Sequence, residues 1–162
     1  MIRIQENIPL APLTVFKIGG SARYFCEATT PEEVREAVSY AQTHKVSFVV
    51  LGAGSNTLVA DEGYSGLVIK MQMRTISVKE NTVTAGAGAS MAQVVVASVG
   101  AGLTGFEWAI GVPGTIGGSV VGNAGCFGGE MKDVIEAVEL LDTESGDVNV
   151  LKNAECHFAY RE

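Results

Sequence analysis

Basic residues are scarce in this chain: 11 lysines and arginines stand against 18 aspartates and glutamates, giving a net charge of −7. An acidic surface repels phosphate backbones, and no run of Lys and Arg forms a basic patch, so nucleic-acid binding is not expected. Cysteine is limited to Cys26, Cys126 and Cys156. An odd number at irregular spacing, without a CxxC pair, fits reduced thiols in a cytoplasm better than a disulfide or zinc framework. Long apolar runs are missing as well. The richest, near residues 94–103, is about half the ~20 residues that a membrane helix needs. The N-terminal "MIRIQENIPL" sets Arg3, Gln5, Glu6 and Asn7 among its apolar residues, which a signal peptide would not. These absences point to a cytoplasmic protein with no membrane contact, and no obligate protein partner is evident.

Glycine, by contrast, is abundant: 20 of 162 residues, about 12% against a usual ~7%. With 47% hydrophobic residues the chain can build one ordinary domain or two small lobes. The glycines signal either many loops or a backbone that approaches a ligand closely, and their positions decide between the two.

The pattern along the chain is α+β. "TPEEVREAVSYAQTHK" (30–45) reads as a helix, with Thr30 as N-cap, Pro31 at the first helical position and Glu33 completing a capping box. Val34, Ala37, Val38 and Ala41 form its apolar stripe. "SFVVLG" reads as a buried strand, and "GLVIKM" (66–71) as another. "TISVKENTVTAGAG" (75–88) alternates on both sides of Glu80-Asn81 and predicts a hairpin. Ser90 opens a second helix, with Gln93 as its capping-box partner and Gly100 and Gly102 at its end. "VIEAVELLDTESGDVNVLK" (134–152) predicts another hairpin, turned by "ESGD". A soft boundary near residue 72 divides the chain into lobes 1–71 and 72–162.

Two glycine loops carry the chemistry. The first, "LGAGSNTLV" (51–59), follows a strand as a dinucleotide-binding turn would. A Rossmann fingerprint needs G-x-G-x-x-G opening a helix and an acidic residue ~20 positions on. Here Thr57 stands at the third glycine, and the region 70–72 offers no carboxylate. "AGAGASM" (85–91) fails likewise at Met91. The Rossmann reading is therefore excluded. What remains is either an anion-binding nest of backbone N–H groups, with Ser55 and Asn56 adding donors, or a tight turn between strands. The second loop, "AIGVPGTIGGSVVGNAGCFGGEMKD" (109–133), places glycine at 8 of 25 positions. A core strand or helix so rich in glycine loses stability with nothing packed in return, so a backbone folded around a ligand explains it better. Thr115, Ser119 and Asn123 supply polar partners. Lys17 reads equally as a phosphate contact or a surface lysine. Trp108 and Phe106 read as core, Glu130 as a helix cap, and His44 and His157 as isolated.

"TVFKIGG", "LGAGSNTLV", "GFEWAIGVPGTIGGSVVGNAGCFGGEMKD" and "CHFAYRE" together resemble, in order, the signatures of the UDP-N-acetylenolpyruvoylglucosamine reductase family. The resemblance implies a two-lobed FAD-binding fold of the vanillyl-alcohol oxidase (PCMH) type. It implies FAD as cofactor, NADPH as reductant, and a UDP-sugar enolpyruvyl ether as substrate, reduced to UDP-N-acetylmuramate for peptidoglycan. Carried over by position, Leu51, Gly52, Ala53, Gly54, Ser55, Asn56 and Thr57 would line the FAD pyrophosphate. Pro113, Gly114, Thr115, Gly117, Gly118, Asn123 and Gly125 would form the second wall, and Arg161 of "YRE" would be the active-site arginine. Without the resemblance, Arg161 reads as a solvated arginine. Where the family commonly has "NAGAYG", this chain has Cys126 and Phe127, losing a tyrosine hydroxyl. The resemblance further implies that the second lobe is incomplete at Glu162 and the substrate domain absent. The proton-donating serine and its partner glutamate would lie beyond Glu162, and the 162 residues alone are not expected to turn over. The alternatives are another FAD-dependent oxidoreductase of the same cofactor fold, or a non-catalytic flavin-binding module.

Overall fold

The structure, a computed structural model, describes residues 1–159. The chain divides into two compact units, one ending at Met73 and the other starting at Arg74.

The first unit is a four-stranded sheet with one helix. Strands β1 (Gln5–Pro9) and β2 (Ser21–Ala28) pair antiparallel. Helix α1 (Pro31–Thr43) leads to β3 (Phe48–Leu51), and β4 (Tyr64–Met71) runs parallel to both β2 and β3, in the order β1-β2-β4-β3. Helix α1 starts as its sequence predicts. Thr30 Oγ1 accepts the Glu33 N–H at 3.2 Å, and Val34, Ala37, Val38 and Ala41 are buried. The returning bond of the capping box lands one residue early: the Glu33 carboxylate accepts from the N–H and hydroxyl of Thr29, both at 2.7 Å. Those two bonds hold the Glu33 carboxyl below its usual value.

Parallel neighbours need a crossover of a dozen or so residues, usually a helix. Between β3 and β4 that crossover is irregular loop, residues 52–63, and it contains the first glycine motif. The core beside it joins Leu10, Ala22, Phe25, Leu51 and Val68. The pairing of β2 with β4 carries a register shift, a step of two residues along β2 from Ala22 to Tyr24 lying against a step of three along β4 from Tyr64 to Leu67. One expectation needs correction. "SFVVLG" is not a buried strand: Val49 and Val50 are 45% and 51% exposed, because β3 lies at the sheet edge with one neighbour. Leu67, Val68 and Ile69 of β4, flanked on both sides, are fully buried as expected.

The second unit opens with the hairpin of β5 (Ile76–Lys79) and β6 (Thr82–Ala85), turned at Glu80-Asn81. Helix α2 (Met91–Gly100) follows, and Gly102 closes it at φ +75°. Ser90 is its N-cap, yet the expected capping box does not form. Ser90 is drawn into a backbone bridge with Thr115, and the first free helical N–H, that of Met91, donates to the Gly114 carbonyl at 3.2 Å. A short helix α3 (Ile116–Val121), the two-residue strands β7 (Gly125–Cys126) and β8 (Gly129–Glu130), and the hairpin of β9 (Ala137–Leu141) and β10 (Val148–Lys152) complete it. Asp142 orders the last turn by accepting the N–H groups of Glu144 and Ser145 at 2.8 and 3.1 Å. Met91, Val95, Ala109 and Met131 form the core, with Phe106 and Trp108 packed against it edge to face.

Candidate functional site

In the first unit the predicted residues 51–57 form one continuous turn leaving β3. Leu51 points into the core. Gly54 takes φ +68° and passes so close to the preceding Leu10–Thr14 turn that an added Cβ would lie 2.5 Å from the Leu13 carbonyl oxygen. The Gly54 carbonyl accepts the Val15 N–H at 3.0 Å, and the Lys70 ammonium donates to the Gly52 carbonyl. Glycine is thus required at 54 by backbone meeting backbone. The N–H groups of Ala53, Gly54 and Asn56, in contrast, have no protein acceptor among the described residues. The loop is held through its carbonyls and keeps donors for something else. Lys17 is at φ +58° and donates from Nζ to the Pro12 carbonyl at 2.9 Å, so it clamps its own turn.

In the second unit Pro113, Gly114, Thr115, Gly117 and Gly118 gather at the start of α3. Thr115 caps it, its Oγ1 accepting the Gly118 N–H at 3.5 Å. Sequence reading missed the strap beneath. The 85–90 segment, read as the end of a hairpin, a failed Rossmann turn and the start of α2, accepts the Ile116 N–H at the Ala89 carbonyl and the Gly117 N–H at the Ala87 carbonyl, both at 2.9 Å. A Cβ at Gly117 would lie 2.8 Å from the Ala87 Cβ, so this glycine serves packing. So does Gly125, 2.8 Å by the same measure from the Gly129 carbonyl oxygen. Gly118 differs. It sits in the helix at ordinary φ, and a Cβ there would meet only Thr115 Oγ1, at 3.5 Å. Glycine in a helix costs about 1 kcal/mol relative to alanine, and nothing within this unit requires it at 118. A ligand approaching the bare backbone would.

Asn123 is 3% exposed and takes φ +38°. Its Nδ2 donates to Glu130 Oε2 at 2.8 Å and to the Ala159 carbonyl at 2.9 Å, and its Oδ1 accepts the Lys132 N–H at 3.0 Å. Glu130 Oε2 also meets Lys132 Nζ at 2.9 Å. These contacts, Lys132 first and Asn123 second, hold the Glu130 carboxyl below its usual value, and Glu130 in turn raises the Lys132 ammonium. Glu130 also caps residues Met131–Asp133 reciprocally with Asp133, the capping role its sequence position suggests. The partners Lys132 and Ala159 carried no signal of their own in the sequence. Arg161 lies outside the described residues. Among the described residues, no cluster of His, Cys, Asp or Glu could hold a metal ion, and no helix is long and apolar enough to cross a membrane.

Comparison with known proteins adds four matches. Residues 22–152 match the FAD binding domain family. The chain is 40% identical over 161 residues to the UDP-N-acetylenolpyruvoylglucosamine reductase of Lactobacillus helveticus, covering 99% of this chain and 54% of that one. It superimposes on the UDP-N-acetylenolpyruvylglucosamine reductase of Thermus caldophilus with a TM-score of 0.81 and 33% identity, covering 100% of this chain and 57% of that one. A VAO-type flavoprotein from Myceliophthora thermophila shares the fold, at TM-score 0.65 and 18% identity over 82% of this chain and 26% of that one. The chain spans about half the length of the reductases it matches.

Proposed function

The chain belongs to the FAD binding domain family, and from that premise we propose that it is the cofactor-holding part of a cytoplasmic UDP-N-acetylenolpyruvoylglucosamine reductase. The 40% identity running over 161 residues, through both glycine loops, carries this reading. The lobes 1–71 and 72–162 are the two flavin-holding lobes of the proposal. The residues present suit FAD. Ala53, Gly54 and Asn56 offer uncommitted N–H groups for a pyrophosphate, and Gly52, Ser55 and Thr57 complete that turn. Gly118, with Pro113, Gly114 and Thr115 before it, presents bare backbone to a flat ring or a phosphate. Gly117, Asn123 and Gly125 support this second wall by packing and hydrogen bonds.

FAD, when bound, supplies a relay for two electrons, taking hydride from NADPH and delivering it to the vinyl carbon of the enolpyruvyl ether. The chain's own part is to hold and orient. Arg161 is assigned the substrate carboxylate and the negative charge that develops beside it as hydride arrives; a guanidinium fork suits that carboxylate, and stabilising charge that appears in the transition state accelerates the step.

The test is the visible spectrum of the complete gene product after addition of FAD and desalting, followed by NADPH consumption with and without the enolpyruvyl sugar nucleotide. A retained flavin band and substrate-dependent consumption are expected. A complete gene product that neither retains nor takes up flavin overturns the proposal.

A further inference from the structure

Lys70 stands on β4 two residues after Val68, on the same face of the strand, and lies opposite Leu51 of β3 in the parallel register. Val68 and Leu51 both belong to the apolar cluster on that face, so the lysine rises beside the core where the chain leaves β3. There its Nζ donates to the Gly52 carbonyl. A trans peptide sets its C=O and N–H in opposite directions, and no peptide bond among the described residues is cis. The carbonyl turned toward Lys70 therefore turns the Ala53 N–H away from it. Two residues on, the Gly54 carbonyl is held by the Val15 N–H at 3.0 Å. Between and after these anchors, the N–H groups of Ala53, Gly54 and Asn56 keep no protein acceptor among the described residues. Lys70 is half-buried, so salt screens its charge less than that of a fully exposed lysine.

We propose that Lys70 is a positioning residue for the cofactor phosphates: its bond to the Gly52 carbonyl aims the Ala53 N–H at the pyrophosphate, and its charge draws the anion to the turn. The inference rests on the reading of this turn as the FAD pyrophosphate site. It adds a residue from outside the glycine motif, 18 positions along the chain from Gly52. A nest of N–H groups holds an anion through partial charges. Lys70 sets a full positive charge beside that nest without needing to touch the ligand. In a chain of net charge −7, it offsets repulsion that a pyrophosphate would otherwise meet.

The informative substitution is Lys70→Met, which keeps an unbranched apolar stem and removes the ammonium. It is made in the complete gene product beside Lys70→Arg, which keeps a charged donor. Three quantities are read: the FAD dissociation constant from titration of the visible band, its dependence on salt, and the thermal unfolding midpoint of the flavin-free protein. The first two are measured well below that midpoint. Lys70→Met is expected to weaken FAD at least tenfold and to make the salt dependence shallower. Lys70→Arg is expected to stay within threefold of the parent. Should Lys70→Met fail to fold, Lys70→Gln, uncharged and one bond shorter, takes its place with the same expectations. If the uncharged variant unfolds earlier yet binds FAD within threefold of the parent, Lys70 only braces the turn and the inference is wrong. Affinity lost with the salt dependence unaltered means that the ammonium does not act on the phosphates, and the inference falls. It falls as well if Lys70→Arg is as weak as Lys70→Met. A parent protein that takes up no flavin fails the FAD reading itself, and the inference goes with it.

Discussion

The two glycine loops look alike in sequence and differ in what demands their glycines. In the first, Gly54 is dictated from within: its φ is positive and the Leu13 carbonyl leaves no room for a side chain. In the second, Gly117 and Gly125 are packed against Ala87 and Gly129, but a Cβ at Gly118 would make only ordinary contact with Thr115 Oγ1. On the proposed reading, the first loop would meet FAD through its unspent N–H groups and the second through an unfilled position. A glycine-rich motif is therefore not one signal. Part of it is demanded by the fold and part is not, and the neighbours of each residue separate the two.

Substitution to alanine breaks this comparison most sharply. At Gly54 it places Cβ on the Leu13 carbonyl oxygen and forces an alanine to φ +68°; a loss of about 3 kcal/mol is expected in denaturant unfolding. Gly117→Ala crowds the Ala87 Cβ and loses about 2 kcal/mol. Gly118→Ala, one residue on, has the opposite sign. The flavin-free protein gains about 0.5–1 kcal/mol of stability from better helix propensity, while FAD affinity, read by titration of the visible band, falls about tenfold, equivalent to about 1.4 kcal/mol. Equal behaviour of Gly117→Ala and Gly118→Ala would erase the distinction.

What was legible in the sequence were features set by near neighbours. The start and stripe of α1, the hairpins at Glu80-Asn81 and after Leu141, and the Gly102 stop all follow from residues within a turn of one another. The misreadings share a different cause. The exposure of Val49 and Val50 depends on strand order, which places β3 at an edge only once β4 has inserted between it and β2. Ser90 makes no side-chain cap bond, and the partner of the first helical N–H, the Gly114 carbonyl, lies far off in sequence. For the candidate site, the 51–57 turn could be recognised as a donor-rich loop, but not which glycine answered to Leu13. Nor could Asn123 be read as an anchor, since Glu130, Lys132 and Ala159 become its partners only in the fold.

Phe127 offers a smaller effect within the second loop. It stands at φ +51° beside Gly128 at φ +86°, the pair of positive angles that a tight hairpin turn needs, with its ring 89% exposed. A bulky side chain is disfavoured there and almost nothing is packed in compensation. Phe127→Asn creates the Asn-Gly pair this turn prefers, and a gain of about 0.5–1 kcal/mol in thermal unfolding is expected. Gly54, in the first loop, allows no such improvement, because there the strained angle and the crowding coincide.

Acid sharpens the comparison last. Glu33 in the first unit, and Glu130 and Asp142 in the second, are each held below their ordinary values, 4.5 for the glutamates and 3.8 for the aspartate. Hydrogen bonds from Thr29, from Lys132 and Asn123, and from the Ser145 and Glu144 N–H groups are the respective causes. A carboxyl whose value is lower in the folded state than in the unfolded one stabilises the fold above the unfolded value, and that contribution is lost as pH falls through the folded value. Stability therefore declines on acidification below about pH 4.5. Glu33→Gln and Glu130→Gln each flatten part of that decline in acid titrations followed by circular dichroism. The two substitutions differ in reach. Glu33→Gln touches the cap of α1, whereas Glu130→Gln also removes the charge that Asn123 and Lys132 share, so only the second should quicken exchange at residues 153–159. If both leave that segment equally protected, Glu130 caps a turn and does no more, and the link from its carboxylate through Asn123 to residue 159 is broken.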